Sequence, residues 1–464
     1  MNYLNKLIKI PLLSLAYVLS FICAKLFFGR VVVSNSHKIP SNGPLLFVAN
    51  HRNMILDAGM VRYSCRRELY YLAKHTLFTN KIIGWFFRQA NGVPIYRRQD
   101  DPSMVSKNKD SFEEIYKLFE GGKCLNVFPE GISIASSSLL KIKTGAARMA
   151  INTEMKNTFR LNLKIIPVGI NYSNPSRFKS EVFIQYGDPI CVSKYKRIIE
   201  DDFNIAVTEL TKHIEQSLLE LTTNLTFIDL EDTISYLKVI YKNDLLHRDT
   251  IAQSDLDDFK ISKDMIDAVE WYLNSKPNVT ESYISMISRY MRFLERLKLD
   301  DRLIISKKDN KPKLLPRKPL RALWFLIQFP IYLYGLINNF VPYNISIAEV
   351  YNKDIDEVEI AQYKFFIGLF VFSIFYVFQT FLVFYFSQSL NWTIIYIISL
   401  IPSGNFALNY HNTIITYLQE FRMFRIFVKR SDIINELREQ RLKIIGFIQT
   451  AISDFEKNKE SNGN

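Results

Sequence analysis

Short apolar runs alternate with amphipathic stretches over the first 195 residues of the chain. The runs Val31 to Val33, Pro44 to Ala49, Leu69 to Lys74, Val93 to Tyr96, Cys124 to Phe128, Leu163 to Val168 and Val182 to Tyr186 each end at glycine, proline or polar residues, which predicts strands. Between them, Ser106 to Phe119 puts Phe112, Ile115, Tyr116 and Phe119 on one helical face and stops at Gly121-Gly122. A helical stretch follows Lys74 through Phe87, and the small residues of Lys143 to Ala150 suit a closely packed helix. Strands alternating with helices predict an α/β layered domain over residues 31–195.

Beyond it the period changes. Phe203 to Leu221, Leu230 to Tyr241 and Ser282 to Leu297 repeat apolar residues at three-to-four spacing, so 196–306 reads as a helical region without chemistry. Residues 307–321 form a basic, proline-bearing linker suited to an anionic membrane surface. A hydrophobic membrane region of two to three segments follows over 322–410: Ala322 to Tyr343, interrupted by Pro330 and Gly335, then Phe365 to Phe386, then Trp392 to about Leu408. The second runs without a charge and would span roughly 30 Å at about 1.5 Å per residue. The tail, 411–464, is basic and amphipathic, and should share the cytoplasmic side with the linker. That requires an even number of spans, which points to the broken first segment as re-entrant. Near the N-terminus, Ile10 to Phe28 is apolar and flanked by Lys6, Lys9, Lys25 and Arg30, without a small-x-small cleavage site. Residues 1–30 therefore read as a retained membrane-associated helix, with a full span left open.

The net charge of +13 beside 48% hydrophobic residues points to an anionic partner and a bilayer with anionic lipids. No zinc-finger spacing, RNP aromatic motif or basic region joined to heptads supports nucleic acid. Cys23, Cys65, Cys124 and Cys191 are scattered, and no HExxH occurs, so neither a disulfide framework nor a metal site is expected.

Candidate chemistry begins where the strand ending at Val48 gives way to Asn50-His51-Arg52-Asn53-Met54-Ile55-Leu56-Asp57. Histidine exchanges protons near neutrality, and a carboxylate on its second ring nitrogen fixes the tautomer. Positions six apart on a continuous helix differ by about 120° beyond full turns, so a His51 and Asp57 pair requires a turn between them. Alone, the stretch reads as a loop histidine and a helix-capping aspartate, and the other motifs must decide.

Three further blocks follow in order: Gly92-Val93-Pro94-Ile95-Tyr96-Arg97-Arg98, Phe128-Pro129-Glu130-Gly131 and Ile166-Pro167-Val168-Gly169. Singly they read as a solvated arginine pair, a turn and a strand terminator. Together with Ala73-Lys74, Lys143-Thr144-Gly145-Ala146, Asn171-Tyr172 and Gly187-Asp188-Pro189, they resemble the glycerolipid acyltransferase family, membrane-associated enzymes that move fatty acyl chains onto glycerol 3-phosphate or lysophosphatidic acid. The resemblance covers residues 31–195. The hydrophobic C-terminal pattern is similar to the larger fungal-type glycerol-3-phosphate acyltransferases and their bacterial relatives.

The resemblance implies roles. His51 is the general base toward the attacking glycerol hydroxyl, and Asp57 holds its other nitrogen. Arg98, supported by Arg97, grips the acceptor phosphate; the family's arginine lies six positions after the glycine, and counting from Gly92 selects Arg98. Glu130 and Gly131 form the acceptor-binding block, where the glutamate takes a glycerol hydroxyl or orients the arginine, with Lys143 beside them. Asn50, Pro129, Pro167 and Gly169 are acyl-donor or structural positions. Two features depart from the common pattern: Arg52 to Leu56 make the interval between His51 and Asp57 one residue longer, as in the larger branch, and Ile132-Ser133 replaces Thr-Arg or Gly-Ser.

The implied protein is a membrane-bound O-acyltransferase of phospholipid synthesis, without cofactor or metal, using acyl-CoA or acyl carrier protein as donor. Glycerol 3-phosphate is the leading acceptor and lysophosphatidate the alternative. Its place is the cytoplasmic membrane of a bacterium or the endoplasmic reticulum of a eukaryote, with the active site facing the cytoplasm. A catalytically silent membrane scaffold is a reading of another class, against which the intact His51 and Asp57 count. A lipid hydrolase lacks its Gly-x-Ser-x-Gly elbow.

Overall fold

The computed structural model describes residues 17–97, 103, 106, 108–134, 138–223, 231–247, 255–305, 319–351 and 355–462. Arg98 and most of the linker expected at 307–321 lie outside these residues. The chain forms two compact units, one of Met1–Asn224 with Ile355–Phe365, the other of Leu225–Asp354 with Phe366–Asn464.

The first unit is built on one eight-stranded sheet. Its strands are β1 (Arg30–Ser34), β2 (Leu45–Ala49), β3 (Leu69–Lys74), β4 (Gly92–Ile95), β5 (Cys124–Val127), β6 (Lys164–Tyr172), β7 (Glu181–Tyr186) and β8 (Ile190–Cys191). They lie in the order β1-β7-β6-β2-β5-β3-β4, with β8 on β6. All neighbours are parallel except β7 and β8, which run antiparallel to β6. The helices of this unit are α1 (Met54–Ser64), α2 (Lys81–Gln89), α3 (Asn108–Glu120), α4 (Gly145–Lys156), α5 (Lys196–Asp201) and α6 (Phe203–Leu221).

Every residue of β2 is buried. Leu46 and Val48 enter a core shared with α4 and α6, while Leu45, Phe47 and Ala49 enter one shared with α1, as a strand of period two must when both faces are covered. The chain leaves β2 through α1 toward β3 and leaves the adjacent β5 through α4 toward β6. Where parallel neighbours send their connections opposite ways, a crevice opens at their carboxyl ends. His51 and Glu130 follow those two ends.

Two elements serve this unit against expectation. Helix α6, read from the sequence as the start of a separate helical region, packs Leu210, Ile214 and Leu218 into the core beside α4. Periodicity specifies a helix but not what its apolar face covers. The apolar N-terminal stretch ends in a π-helical turn, Cys23–Phe27, whose Cys23, Ala24 and Phe27 are buried with Phe28 among core residues of the sheet. Earlier in the same stretch Tyr17, Val18 and Phe21 stay exposed.

The second unit is helical: α7 (Glu231–His247), α8 (Asp255–Ser275), α9 (Pro277–Leu297), α10 (Asp301–Ile304), α11 (Pro319–Tyr351), most of α12 (Glu357–Ser387), α13 (Leu390–Lys429) and α14 (Ser431–Asn462). Its core joins Ile240, Ile266, Tyr290 and Ile444 around a buried Arg441, which donates to Asp301 (3.1 Å) and Asp244 (3.2 Å).

Three sequence expectations change here. Helix α11 is continuous through Pro330 and Pro342 instead of broken. Gly335 is a contact point: a Cβ there would fall on the Ser403 carbonyl of α13, so the glycine allows the two helices to pack closely. Helix α13 runs through Pro402 to Lys429, past the expected boundary at 410. Among the described residues one helix, α12, is long and apolar enough to cross a membrane by length and composition, with mean hydropathy 2.2, where two or three such segments were expected.

Candidate active site

The site is assembled on the ends of β2, β5 and β6. Beyond Ala49, Asn50 extends the β2–β6 ladder with its side chain: Nδ2 donates to the Ile170 carbonyl (2.9 Å) and Oδ1 accepts from the Ile170 N–H (2.7 Å). Asn50 is therefore a structural clamp that fixes where the chain leaves the sheet. The turn that follows passes through Met54 at φ +44°, a conformation costly for a residue with a side chain.

That turn brings His51 onto Asp57. His51 Nδ1 lies 2.9 Å from Asp57 Oδ2, and the same oxygen accepts the backbone N–H groups of Arg52 (2.8 Å) and Asn53 (2.7 Å). Asp57 Oδ1 accepts from the Tyr172 hydroxyl at 2.6 Å. The carboxylate thus tethers its own turn, orients the imidazole and is tied to β6. The Asp57 side chain is 0% exposed and that of His51 18% exposed, so the carboxylate is sealed while the imidazole reaches the surface. The tautomer that donates Nδ1–H to Asp57 leaves a lone pair on Nε2, for which there is no hydrogen-bond partner among the described residues. Phe128 stacks on the imidazole with centroids 3.9 Å apart and planes 10° from parallel.

Glu130 holds the His51 peptide. Its Oε1 accepts from the His51 N–H at 2.7 Å and its Oε2 from the Leu140 N–H at 3.1 Å. Burial pushes this carboxyl above its ordinary range, against the downward pull of those two N–H groups and of nearby His51 and Arg52. Glu130 thus fastens the loop after β5 to the His51 backbone. The Ile134 N–H donates to the His51 carbonyl (3.3 Å), and Ser133 Oγ accepts from the Met54 N–H (3.2 Å), which gives the unusual Ile132-Ser133 a place in the turn.

Two cations converge on Gly131, which sits at φ +75°. Arg97 Nη1 donates to its carbonyl at 2.6 Å. A Cβ on Gly131 would lie 2.5 Å from Lys143 Nζ, so that ammonium rests against the glycine backbone; the Lys143 N–H also donates to the Pro129 carbonyl (2.8 Å). Arg97, from the end of β4, and Lys143 therefore meet Gly131 in the loop after β5, whose Glu130 holds the His51 peptide. Pro167 and Gly169 sit lower, inside β6: the Pro167 carbonyl accepts from the Gly187 N–H (2.9 Å), and Gly169 leaves room for the Leu221 carbonyl of α6.

Sequence reasoning gave no role to Tyr172 or Arg52. Arg52 is 6% exposed and donates to the Thr223 carbonyl at 2.6 Å. Its partner is 171 positions away, and no local pattern signals such a pair. Residues 355–365 also reach this unit, where Lys364 Nζ donates to the Ser176 carbonyl at 3.0 Å. Among the described residues no group of three or more His, Cys, Asp and Glu is placed to hold a metal ion.

Residues 30–171 match the acyltransferase family model. Over 350 residues, 72% of this chain, the sequence is 27% identical to glycerol-3-phosphate O-acyltransferase 1 of Saccharomyces cerevisiae, of which it spans 43%. It is 24% identical over 194 residues to the 1-acyl-sn-glycerol-3-phosphate acyltransferase of Streptococcus pneumoniae, covering 40% of this chain and 66% of that one. Among solved structures, the 1-acyl-sn-glycerophosphate acyltransferase of Thermotoga maritima aligns over 44% of this chain and 78% of its own, at 21% identity and a TM-score of 0.33.

Proposed function

From an acyltransferase-family domain at residues 30–171, we propose that the chain is a membrane-bound O-acyltransferase that moves a fatty acyl group from acyl-CoA or acyl carrier protein to glycerol 3-phosphate. The observation that carries this reading is His51 with Nδ1 on Asp57 and Nε2 left to act as base. As the acceptor hydroxyl attacks the thioester carbonyl carbon, its proton passes to Nε2. The new C–O bond forms, the C–S bond breaks on collapse of the tetrahedral adduct, and the imidazolium returns the proton to the departing thiolate. Asp57 stabilises the imidazolium between those steps. A thioester needs no covalent enzyme intermediate, so positioning supplies much of the rate.

Arg97 and Lys143 at Gly131 supply positive charge suited to the acceptor phosphate, with Arg98 as the family's phosphate arginine by its distance from Gly92. The apolar helix α12 and the net charge of +13 support a bilayer with anionic lipids. The basic stretches at 307–321 and 411–464 favour the cytoplasmic side for the site.

The similarity to a bacterial 1-acyl-sn-glycerol-3-phosphate acyltransferase supports a second reading in which lysophosphatidate is the acceptor and phosphatidic acid the product. Acyl transfer by the purified, detergent-solubilised protein from a long-chain acyl-CoA, measured with both acceptors in parallel, separates the two. Preference for glycerol 3-phosphate upholds the first reading. Preference for lysophosphatidate moves the protein to the second with the same chemistry. No transfer to either, with acyl-CoA or acyl carrier protein, refutes both.

A further inference from the structure

Helix α2, between β3 and β4 of the α/β unit, leaves its large apolar side chains uncovered. Ile82 is 80% exposed, Ile83 50% and Trp85 47%. Ile82, Trp85 and Phe86 share one side of the helix at three-to-four spacing.

The other side is firmly held. Asn80 Oδ1 caps the helix by accepting from the N–H groups of Ile82 (2.9 Å) and Ile83 (3.0 Å). Gly84 approaches the Phe78 backbone so closely that a Cβ would lie 2.5 Å from its carbonyl oxygen. The Arg88 guanidinium lies over the Phe78 ring, 5.5 Å from its centroid. The exposed apolar side is thus held outward by packing on the inward one.

Charge identifies the occupant. Between Glu68 and Asp100 the chain has no carboxylate, and Lys74, Lys81, Arg88, Arg97 and Arg98 all fall in that stretch. Isoleucine and tryptophan framed by cations, with no acid near them in sequence, match the layered chemistry of an anionic lipid surface: apolar at the acyl boundary, aromatic at the headgroups, cationic at the phosphates.

We propose that α2 docks the α/β unit on an anionic bilayer surface, with Ile82, Ile83 and Trp85 inserted at headgroup depth and Lys81 on lipid phosphates. The proposal rests on the membrane-bound reading and deepens it by naming the contact. It also gives the sequence order a purpose, because α2 leads through Asn91 into β4 and then to Arg97, bringing the acceptor-phosphate region to the surface that receives the lipid product.

The test uses the full chain carrying Cys191→Ser, which leaves the buried Cys23, Cys65 and Cys124. Ile82→Cys, or Lys212→Cys on α6 as a control, is labelled with an environment-sensitive fluorophore. Each protein is reconstituted into phosphatidylcholine vesicles with or without phosphatidylglycerol, containing lipids with nitroxides near the headgroup or near the chain end. The proposal predicts co-flotation with vesicles, blue-shifted emission at position 82, stronger quenching by the shallow nitroxide than by the deep one, and weaker quenching without phosphatidylglycerol. The label at 212 should stay unquenched. Co-flotation with position 82 as unquenched as 212 overturns the docking proposal while the membrane reading stands. Failure to float at all overturns both, and equal quenching without anionic lipid overturns the charge-based choice of partner.

Discussion

The Tyr172 hydroxyl donates a 2.6 Å hydrogen bond to Asp57 Oδ1, on the carboxylate whose other oxygen holds His51. Burial, and after it the charge of Asp57, keep this phenol protonated far above its ordinary range, so it remains a donor at any working pH. A carboxylate sealed from solvent is thereby satisfied on both oxygens and fixed in angle, and the imidazole is fixed with it.

Tyr172→Phe removes that donor without removing the ring. A hydrogen bond to a charged group contributes about 1.5–3 kcal/mol. A positioning role for Tyr172 behind Asp57 and His51 therefore predicts a loss of about tenfold or more in kcat, with both KM values near wild type. Steady-state kinetics against each substrate decide it. A raised KM at unchanged kcat would contradict the positioning role.

Glu130→Gln tests the fastening of His51 and carries a sign in pH. A carboxyl whose value is raised in the folded state stabilises the fold while protonated. Its contribution is complete below the ordinary value of 4.5 and is lost as pH rises through the raised value. Glutamine cannot ionise, so the difference in melting temperature should move in favour of the variant as pH rises from about 4 toward neutrality; a constant difference refutes this. The amide also sets an NH2 against one of the two backbone N–H groups the carboxylate accepts from, so acyl transfer should fall even where stability improves.

Seven of the strands and the helices after β3, β4 and β5 were legible because each is a short apolar or periodic run cut by turn residues, and Phe203 to Leu221 has the same bounds in sequence and structure, whereas the helix Met54–Ser64 and the short strand Ile190–Cys191 were not read. His51 and Asp57 were legible for a similar reason: both lie in one turn, and the chemistry of the pair is local. The roles of Glu130, Asn50 and Tyr172 were not, because their partners lie 79, 120 and 115 positions away and exist only once β2, β5 and β6 are side by side. The second unit misled at its glycines and prolines. Gly335 and Pro330 read as breaks along the chain, whereas in the packed helices Gly335 is a point of approach to Ser403.

Arg97 and Arg98 can be told apart kinetically. Arg97 reaches the Gly131 carbonyl, beside the Lys143 ammonium. Loss of one charged contact should raise the acceptor KM about ten- to a hundredfold, leaving the acyl-donor KM little changed. If Arg98 is the phosphate ligand, Arg98→Gln shows that pattern and Arg97→Gln a smaller loss through the loop. The reverse ranking would assign the phosphate to Arg97, and unchanged acceptor KM in both would remove this block from acceptor binding.

Gly169→Ala would press a methyl group into the Leu221 carbonyl where α6 ends. Overpacking of this kind typically costs about 1–3 kcal/mol. The melting temperature should fall, and activity should fall with it because Arg52 is anchored on the adjacent Thr223 carbonyl. An unchanged melting temperature would show that α6 shifts freely and is not fixed by this contact.

The most direct measurement is single-turnover acyl transfer by wild type, His51→Ala and Asp57→Asn at saturating acceptor and donor, with folding checked by melting temperature. Base catalysis through His51 predicts a loss of about 10²–10⁴-fold for His51→Ala. Asp57→Asn should also be slow, since its amide can keep an oxygen toward His51, Arg52 and Asn53 and turn its nitrogen to Tyr172 but carries no charge to stabilise an imidazolium. A folded His51→Ala protein that transfers acyl groups at the wild-type rate would contradict the account at its centre.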